Sequence, residues 1–397
     1  MVNILLVPIN DLKTHPTDTR FIAMGKALEE KFNAHIFLLR YKKIPTDSKT
    51  DRALTFELVD FNDLKADSIG LYYILNALPM SVAVSKILRQ RKIDVIIHAN
   101  IVPSNIAVGL GRIFRVPIIF DYQDHFPESA SVYFKGTLLR SLAYSVTSNL
   151  NKINVANSDA VVTVTNDHKK LIQKLDSNKL VEVIPNGVNS ELFRHISKAA
   201  ALNHLQMPQL NGKILITYFG SIDSWLDFTT VFKALQKLLD RGLDVSLLLI
   251  GYSHSKFFLE DLKKTASDMG ISKNVYFLGP VSQSRLVYFI NASDVTIAPF
   301  KKLVMNQAVP LKILESLACG VPVCATGLRE IAERFKSVVS LYFSEEELEY
   351  ALLNYIEHRI PLSLVEMENI VQEYSWNGFA KSYYNLILKV INNYHEN

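Results

Sequence analysis

Two cysteines in 397 residues, Cys319 and Cys324, are too few for a disulfide framework, and with no partner pair elsewhere they do not make a zinc pattern. Apolar runs of the roughly 18 residues that a spanning helix requires are missing, which excludes a bilayer-crossing helix. The opening MVNILLVPIND has no basic residues ahead of its short apolar run, so a secretory leader is not expected and a reducing cytoplasm is the natural setting. Low-complexity segments and internal repeats are absent as well. Charge of one sign is scarce. The net charge is +4, with 23 Lys+Arg against 18 Asp+Glu in residues 1–190 and 20 against 21 in the rest. So mild an excess excludes a nucleic-acid binder, yet it would suit a first half resting near an anionic membrane.

What is present is a repeated grammar. Short runs rich in Val and Ile, VNILLVP (2–8), AHIFLLR (34–40), DVIIHAN (94–100), VPIIFDY (116–122) and DAVVTVT (159–165), alternate with amphipathic stretches such as RFIAMGKALEEKF (20–32). Strands apolar on both faces and separated by helices predict a parallel sheet covered on both sides. The pattern restarts with KILITYFGS (213–221), DVSLLLIG (244–251), NVYFLGPV (274–281), SDVTIAPF (293–300) and VPVCATG (321–327), with helices at 227–240, 256–268, 282–291 and 310–319. The expected fold class is therefore α/β: two Rossmann-like, doubly wound parallel-sheet domains facing across a cleft. Their expected bounds are 1–190 and 213–375, with a turn-rich, polar linker at 191–212 and a final helix at 376–397. Ligands of such sheets lie at the carboxyl ends of the strands.

One helix carries chemistry. VPLKILESLACG (309–320) opens on Pro310 and stops at Gly320, residues suited to a first turn and to a left-handed stop. Lys312 and Glu315 stand three apart on one face. They read either as an ordinary solvated ion pair or as a phosphate-binding helix start with a carboxylate one turn in, placed to accept from a ribose diol.

The chain resembles retaining glycosyltransferases of family 4, which have the GT-B fold. The resemblance rests on VTVTNDHKKLI, VEVIPNGVNSELF, ITYFGSI with VFKALQKLL, LLLIGYS, NVYFLGPVSQSRLVYFINASDVTIAPF and PLKILESLACGVPVCAT, in family order. It implies transfer of a sugar from a nucleoside diphosphate, UDP or GDP, to a glycan or lipid-linked acceptor, with no cofactor and no metal. Glu315 matches the second acid of the family's Glu-x7-Glu motif and would hold the ribose. Backbone N–H groups around Leu311 and Lys312 would take the diphosphate, the turns at Gly220 and Gly251 would border it, and Gly279 to Val281 would face the base.

The chain departs from the pattern in four places. Gln307 stands where relatives have the first acid, so an amide would contact the donor sugar. Gln123 stands where relatives commonly have a histidine, with Asp124 and His125 next. These belong to FDYQDHFPESA, which looks like the Asp-x-x-Pro-Glu stretch of members that elongate surface glycans, although a turn with Asp124 as helix N-cap is the other reading. After Gly220 the usual Arg and Lys-Gly are replaced by Asp223, Trp225 and Asp227, which leaves Lys312 as the compensating cation, with Lys301 and Lys302 next. The first strand's Gly-Gly loop is missing too, although Arg20 matches the Arg that follows it. Arg20 and His98 are thus acceptor-side candidates, although a satisfied structural histidine is the reading of His98 that a strand position favours. FKGTLLRSLAYSVTSNLNKI (134–153) and SKILRQRK (85–92) read either as helices packed on the sheet or as a peripheral membrane contact. Two competing readings remain, a non-catalytic nucleotide-sugar-binding subunit and a GT-B nucleotide-sugar epimerase.

Overall fold

The structure, a computed structural model, describes residues 1–8, 19–41, 55–61, 64, 69–99, 102–131, 136–253, 255–301, 310–327, 329–357 and 363–396. It divides into two compact units, Met1–Pro185 with Trp376–Asn397, and Asn186–Ser375.

The first unit holds β1 (Asn3–Val7), α1 (Thr19–Phe32), β2 (His35–Tyr41), β3 (Glu57–Phe61), α2 (Ile69–Gln90), β4 (Val95–Ala99), α3 (Val102–Ile113), β5 (Ile118–Tyr122), α4 (Phe126–Ser131), α5 (Thr137–Asn157), β6 (Ala160–Thr163), α6 (Asn166–Leu175) and β7 (Leu180–Val183). The second holds α7 (Lys198–Leu205), β8 (Ile214–Phe219), α8 (Phe228–Asp240), β9 (Val245–Ile250), α9 (Lys256–Asp268), β10 (Val275–Gly279), α10 (Gln283–Ala292), β11 (Val295–Ala298), α11 (Leu311–Ala318), β12 (Val323–Thr326), α12 (Arg329–Phe335), β13 (Val339–Tyr342), α13 (Glu345–Ile356) and α14 (Leu364–Glu373). The last helix, α15 (Trp376–Glu396), belongs to the first unit.

Both sheets are parallel. Their orders are β3-β2-β1-β4-β5-β6-β7 and β10-β9-β8-β11-β12-β13. Each order reverses once, between β1 and β4 and between β8 and β11, the point where such sheets open a crevice. The strands read as apolar runs because both faces are covered: β4, β5 and β9 are buried at every position.

In the first unit, Ile4, Leu6, Ile36 and Leu38 pack with Phe21, Met24 and Leu28 of α1 and Tyr383 and Ile387 of α15. The opposite face sends Leu5, Val7, Phe37 and Ile96 against Met80 and Val84 of α2 and Ala107 of α3. Ile96 pairs with Ile118 and His98 with Phe120, so Phe120, which packs on Val155 of α5 and Ile172 of α6, points to that same face. Helices α2, α3, α5 and α6 therefore form one layer.

Two expectations need correction. The stretch 191–212 is not a free linker: Ser197 caps α7 by accepting from the Ala200 N–H, and the Lys198 ammonium meets Asp294 at 2.6 Å, both inside the second unit. Arg20 is not an acceptor-side group. It is buried, its Nε lies 2.9 Å from Asp121 Oδ2, and its other nitrogens donate to the carbonyls of Ile184 and Pro185 at 2.9 and 2.8 Å. Tyr383 of α15 donates to the same Asp121 oxygen at 3.2 Å, and the guanidinium sits 5.6 Å from the Trp376 ring centre. This buried cluster ties α1, β5 and the chain after β7 to α15.

Candidate functional site

In the second unit, β8, β9 and β10 each finish on a glycine with positive φ: Gly220 at 121°, Gly251 at 150° and Gly279 at 69°. The turns are stitched together. Gly220 N–H donates to the Ile250 carbonyl and Gly251 N–H to the Gly279 carbonyl, both at 2.9 Å. A Cβ on Gly251 would lie 1.8 Å from the Gly220 carbonyl oxygen. At position 251 only glycine lets the ends of β8 and β9 close at this spacing.

Helix α11 begins next to this edge, with Pro310 ahead of it at φ −66°. The Lys312 ammonium lies over the Gly220 turn, where an added Cβ would meet Nζ at 3.3 Å. Nζ donates to the Tyr218 hydroxyl at 2.9 Å, and that hydroxyl donates to the Ser221 carbonyl at 2.5 Å. The ammonium also lies 4.2 and 5.0 Å from the ring centres of Tyr218 and Phe300, a cation–π seat. Burial lowers the Lys312 pKa to about 7, with the Glu315 charge opposing. The same burial pushes the Glu315 carboxyl up to about 7 against the pull of Lys312. Among the described residues no ion pair joins the two; the lysine faces the tyrosine instead.

The loop after Gly220 is internally committed. Asp227 is the α8 N-cap, accepting from the Thr230 N–H and hydroxyl at 3.2 and 2.7 Å. Buried Asp223 accepts from Ser253 at 3.2 Å, and Trp225 accepts through its carbonyl from the Lys301 N–H at 2.9 Å. Lys301 turns its ammonium to the Ser224 carbonyl at 2.7 Å. Leu311 opens α11 and Val281 follows β10, both half-buried. Gln307 and Lys302 lie outside the described residues.

The first unit brings together Gln123, Asp124 and His125 just past β5. The phenol of Tyr122 lies 2.6 Å from His125 Nδ1. Its pKa is raised by burial first and then by the charges of Asp124 and Glu128. A neutral phenol can donate to Nδ1 or accept from it, so the contact orients the imidazole in either tautomer. Nε2 lies 3.9 Å from Glu128. Asp124 is exposed and stands one residue too early for the cap position, because α4 starts at Phe126. Among the described residues the buried Gln123 Nε2 has no hydrogen-bond partner.

His98 takes the structural reading, and the acceptor-side one is corrected. It is fully buried, stacked on Phe120 at 4.8 Å, with Nε2 3.2 Å from Ser158 Oγ. Burial drives its pKa down to about 3, so it is a neutral histidine of the sheet core and not an acceptor contact. Sequence reading missed Tyr122 and Tyr218, the residues that orient His125 and Lys312. Their only signal is an aromatic near the end of a strand that leads into a turn.

Two parallel-sheet α/β units, the second with a cation at a helix start beside a glycine edge, are the architecture of the GT-B glycosyltransferase class. The family model described as Glycosyltransferase Family 4 matches residues 21–192, and that described as Glycosyl transferases group 1 matches residues 204–361. The chain belongs to glycosyltransferase family 4. Among curated relatives, it is similar to alpha-monoglucosyldiacylglycerol synthase of Streptococcus pneumoniae, 24% identical over 72% of this chain and 64% of the relative. It is also similar to D-inositol 3-phosphate glycosyltransferase of Streptosporangium roseum, 30% identical over 37% of this chain and 34% of the relative. The chain thus spans less than two-thirds of the length of these relatives. Sucrose-phosphate synthase of Thermosynechococcus elongatus shares the fold at TM-score 0.73 and 15% identity, covering 99% of this chain and all of that one. Anabaena HepE in complex with UDP-glucose does so at TM-score 0.68 and 15% identity, covering all of this chain and 99% of that one.

Proposed function

We propose that the chain is a retaining glycosyltransferase that moves a hexosyl group from a nucleoside-diphosphate sugar to a hydroxyl of a glycan or lipid-linked acceptor. The observation that carries the reading is the Lys312 ammonium seated over the Gly220 turn at the start of α11, with the Glu315 carboxyl one turn further on. In the reaction the bond from the anomeric carbon to the diphosphate oxygen breaks. A bond to the acceptor oxygen forms on the same face, and the acceptor proton passes to the leaving diphosphate. Charge grows on that diphosphate as the bond stretches, and Lys312 with the α11 N–H groups stabilises it there without a metal. Glu315 accepts from the ribose hydroxyls, Gly279 to Val281 flank the base, and Gln307 contacts the sugar. On the acceptor side His125 is oriented by Tyr122, with Asp124 and Gln123 beside it.

Incubation with UDP- and GDP-hexoses tests this by release of the nucleoside diphosphate and by the anomeric configuration of the product. An α-linked product from an α-linked donor supports it, and a β-linked product rejects retention. Tight nucleotide-sugar binding without transfer to any hydroxyl acceptor or to water would instead favour a binding subunit. That second reading draws on the loop after Gly220, which offers Asp223 and Asp227 where the family places cations.

A further inference from the structure

The helix layer formed by α2, α3 and α5 has a charge bias and an apolar surface that the sugar-transfer reading does not use. Over the 22, 12 and 21 residues of these helices there is no Asp or Glu. The basic residues there are Lys86 and Arg89 on α2, Arg140 and Lys152 on α5, and Arg112 on α3, the last already paired with Asp159 at 2.9 Å. The chain has 39 acidic residues in all, so the omission is one of placement. Next in the layer, α6 adds Lys169, Lys170 and Lys174 against the single acid Asp167. The opposite face mixes its charges, with Glu29 and Glu30 beside Lys26 and Lys31 on α1 and Glu396 with Lys381 and Lys389 on α15; α1 exposes no large apolar side chain, and α15 exposes only Leu388.

Exposed apolar side chains gather on this layer. On α5 the buried residues are Asn151, Asn154 and Val155, all in its second half. Its first half stands clear with Leu138 81% exposed, followed by Leu139, Leu142 and Val146. On α2 the outward stripe Leu78, Val82, Lys86, Arg89 runs from apolar to basic. A water-facing helix gains nothing from leucines at such positions, whereas an interfacial helix buries them among acyl chains with its cations at headgroup level. Among the described residues no helix is long and apolar enough to cross a bilayer, so any contact of this layer with lipid through its helices is peripheral.

We infer that the α2–α3–α5 layer is the surface by which the first unit rests on an anionic lipid bilayer. Charge selects this occupant. A second copy would bring the same cations face to face, while a negatively charged leaflet neutralises them within a Debye length. The inference does not depend on the donor site or on the reaction.

The test is co-sedimentation of the full chain with vesicles of phosphatidylcholine alone and of phosphatidylcholine mixed with phosphatidylglycerol. Binding to the mixed vesicles is expected, weakening as NaCl is raised. Leu138→Ser with Leu142→Ser should lower the partition coefficient by about tenfold or more with an unchanged melting temperature, because both side chains are exposed. Lys86→Glu with Lys152→Glu should remove the preference for the anionic vesicles, which keeps the test decisive if the serine variant folds poorly. Failure to sediment with either vesicle, or sedimentation that neither pair of substitutions alters, would overturn the inference. So would light scattering that shows a dimer dispersed by the serine variant with no vesicle binding.

Discussion

Replacing Lys312 with methionine should strengthen the ligand-free protein while weakening its hold on a diphosphate. Burial takes the lysine from its ordinary 10.5 to about 7, and at about 1.4 kcal/mol per pH unit that corresponds to a cost of up to about 5 kcal/mol for keeping the ammonium charged in the folded state. The faces of Tyr218 and Phe300 return about 1–2 kcal/mol of it. Methionine fills the same space without the charge, so Lys312→Met should gain up to about 3–4 kcal/mol, or roughly 6–16 °C in the melting temperature of a unit of this size. The sign follows from the lowered pKa. The unfolded lysine is charged up to 10.5, so the gain is full below pH 7, shrinks as pH rises, and vanishes above 10.5. Glu315 loses its neighbour's charge, stays protonated below pH 7, and adds nothing there. Binding moves the other way: losing hydrogen bonds from a charged donor costs about 1.5–3 kcal/mol, or roughly 10- to 150-fold in the dissociation constant of UDP. Scanning calorimetry at pH 6 and titration with UDP measure the two effects. A variant that melts lower than wild type at pH 6, or binds as tightly the nucleoside diphosphate that wild type binds, would refute the reasoning.

Gly251→Ala should cost about 3 kcal/mol or more, because its methyl collides with the Gly220 carbonyl. Gly279→Ala, with open space around the added Cβ, should cost only about 1–2 kcal/mol of backbone strain; thermal denaturation separates them. Arg20→Met leaves the Asp121 carboxylate buried with Tyr383 as a remaining donor and should destabilise the first unit by about 3–5 kcal/mol, read as earlier melting. His98, held near pKa 3, should show no shift of its imidazole NMR signals between pH 5 and pH 8, whereas an exposed histidine titrates in that range.

The sheets were legible because burial on both faces turns each strand into an apolar run, as in ILITYF and VSLLLI. Helix limits were legible where residues with fixed backbone needs stand at the ends: Pro310 and Gly320 bracket 310–319, against Leu311–Ala318 in the structure. Long-range pairing was not legible. Arg20 meets partners 101 and 164 residues away, and Lys312 meets Tyr218 across 94, distances over which a single sequence carries no register. The stretch 191–212 read as a linker because α7 buries only Ala201 and Leu205, too weak a pattern to stand out from polar surroundings. His98 stands one residue before the end of an apolar strand, and its sequence position alone does not tell a strand mouth from a stacked core position.

The central claim is that a nucleoside diphosphate binds at the Gly220 edge and the start of α11. Calorimetric titration of wild type and Glu315→Ala with UDP, GDP, ADP and dTDP tests it most directly. At pH 8, where the Glu315 carboxyl is ionised, the account predicts that one of the four binds wild type and that the variant binds it roughly tenfold or more weakly, having lost the charged acceptor for the ribose hydroxyls. Equal affinity of the two proteins for that nucleotide, or no heat with any of the four, would contradict it.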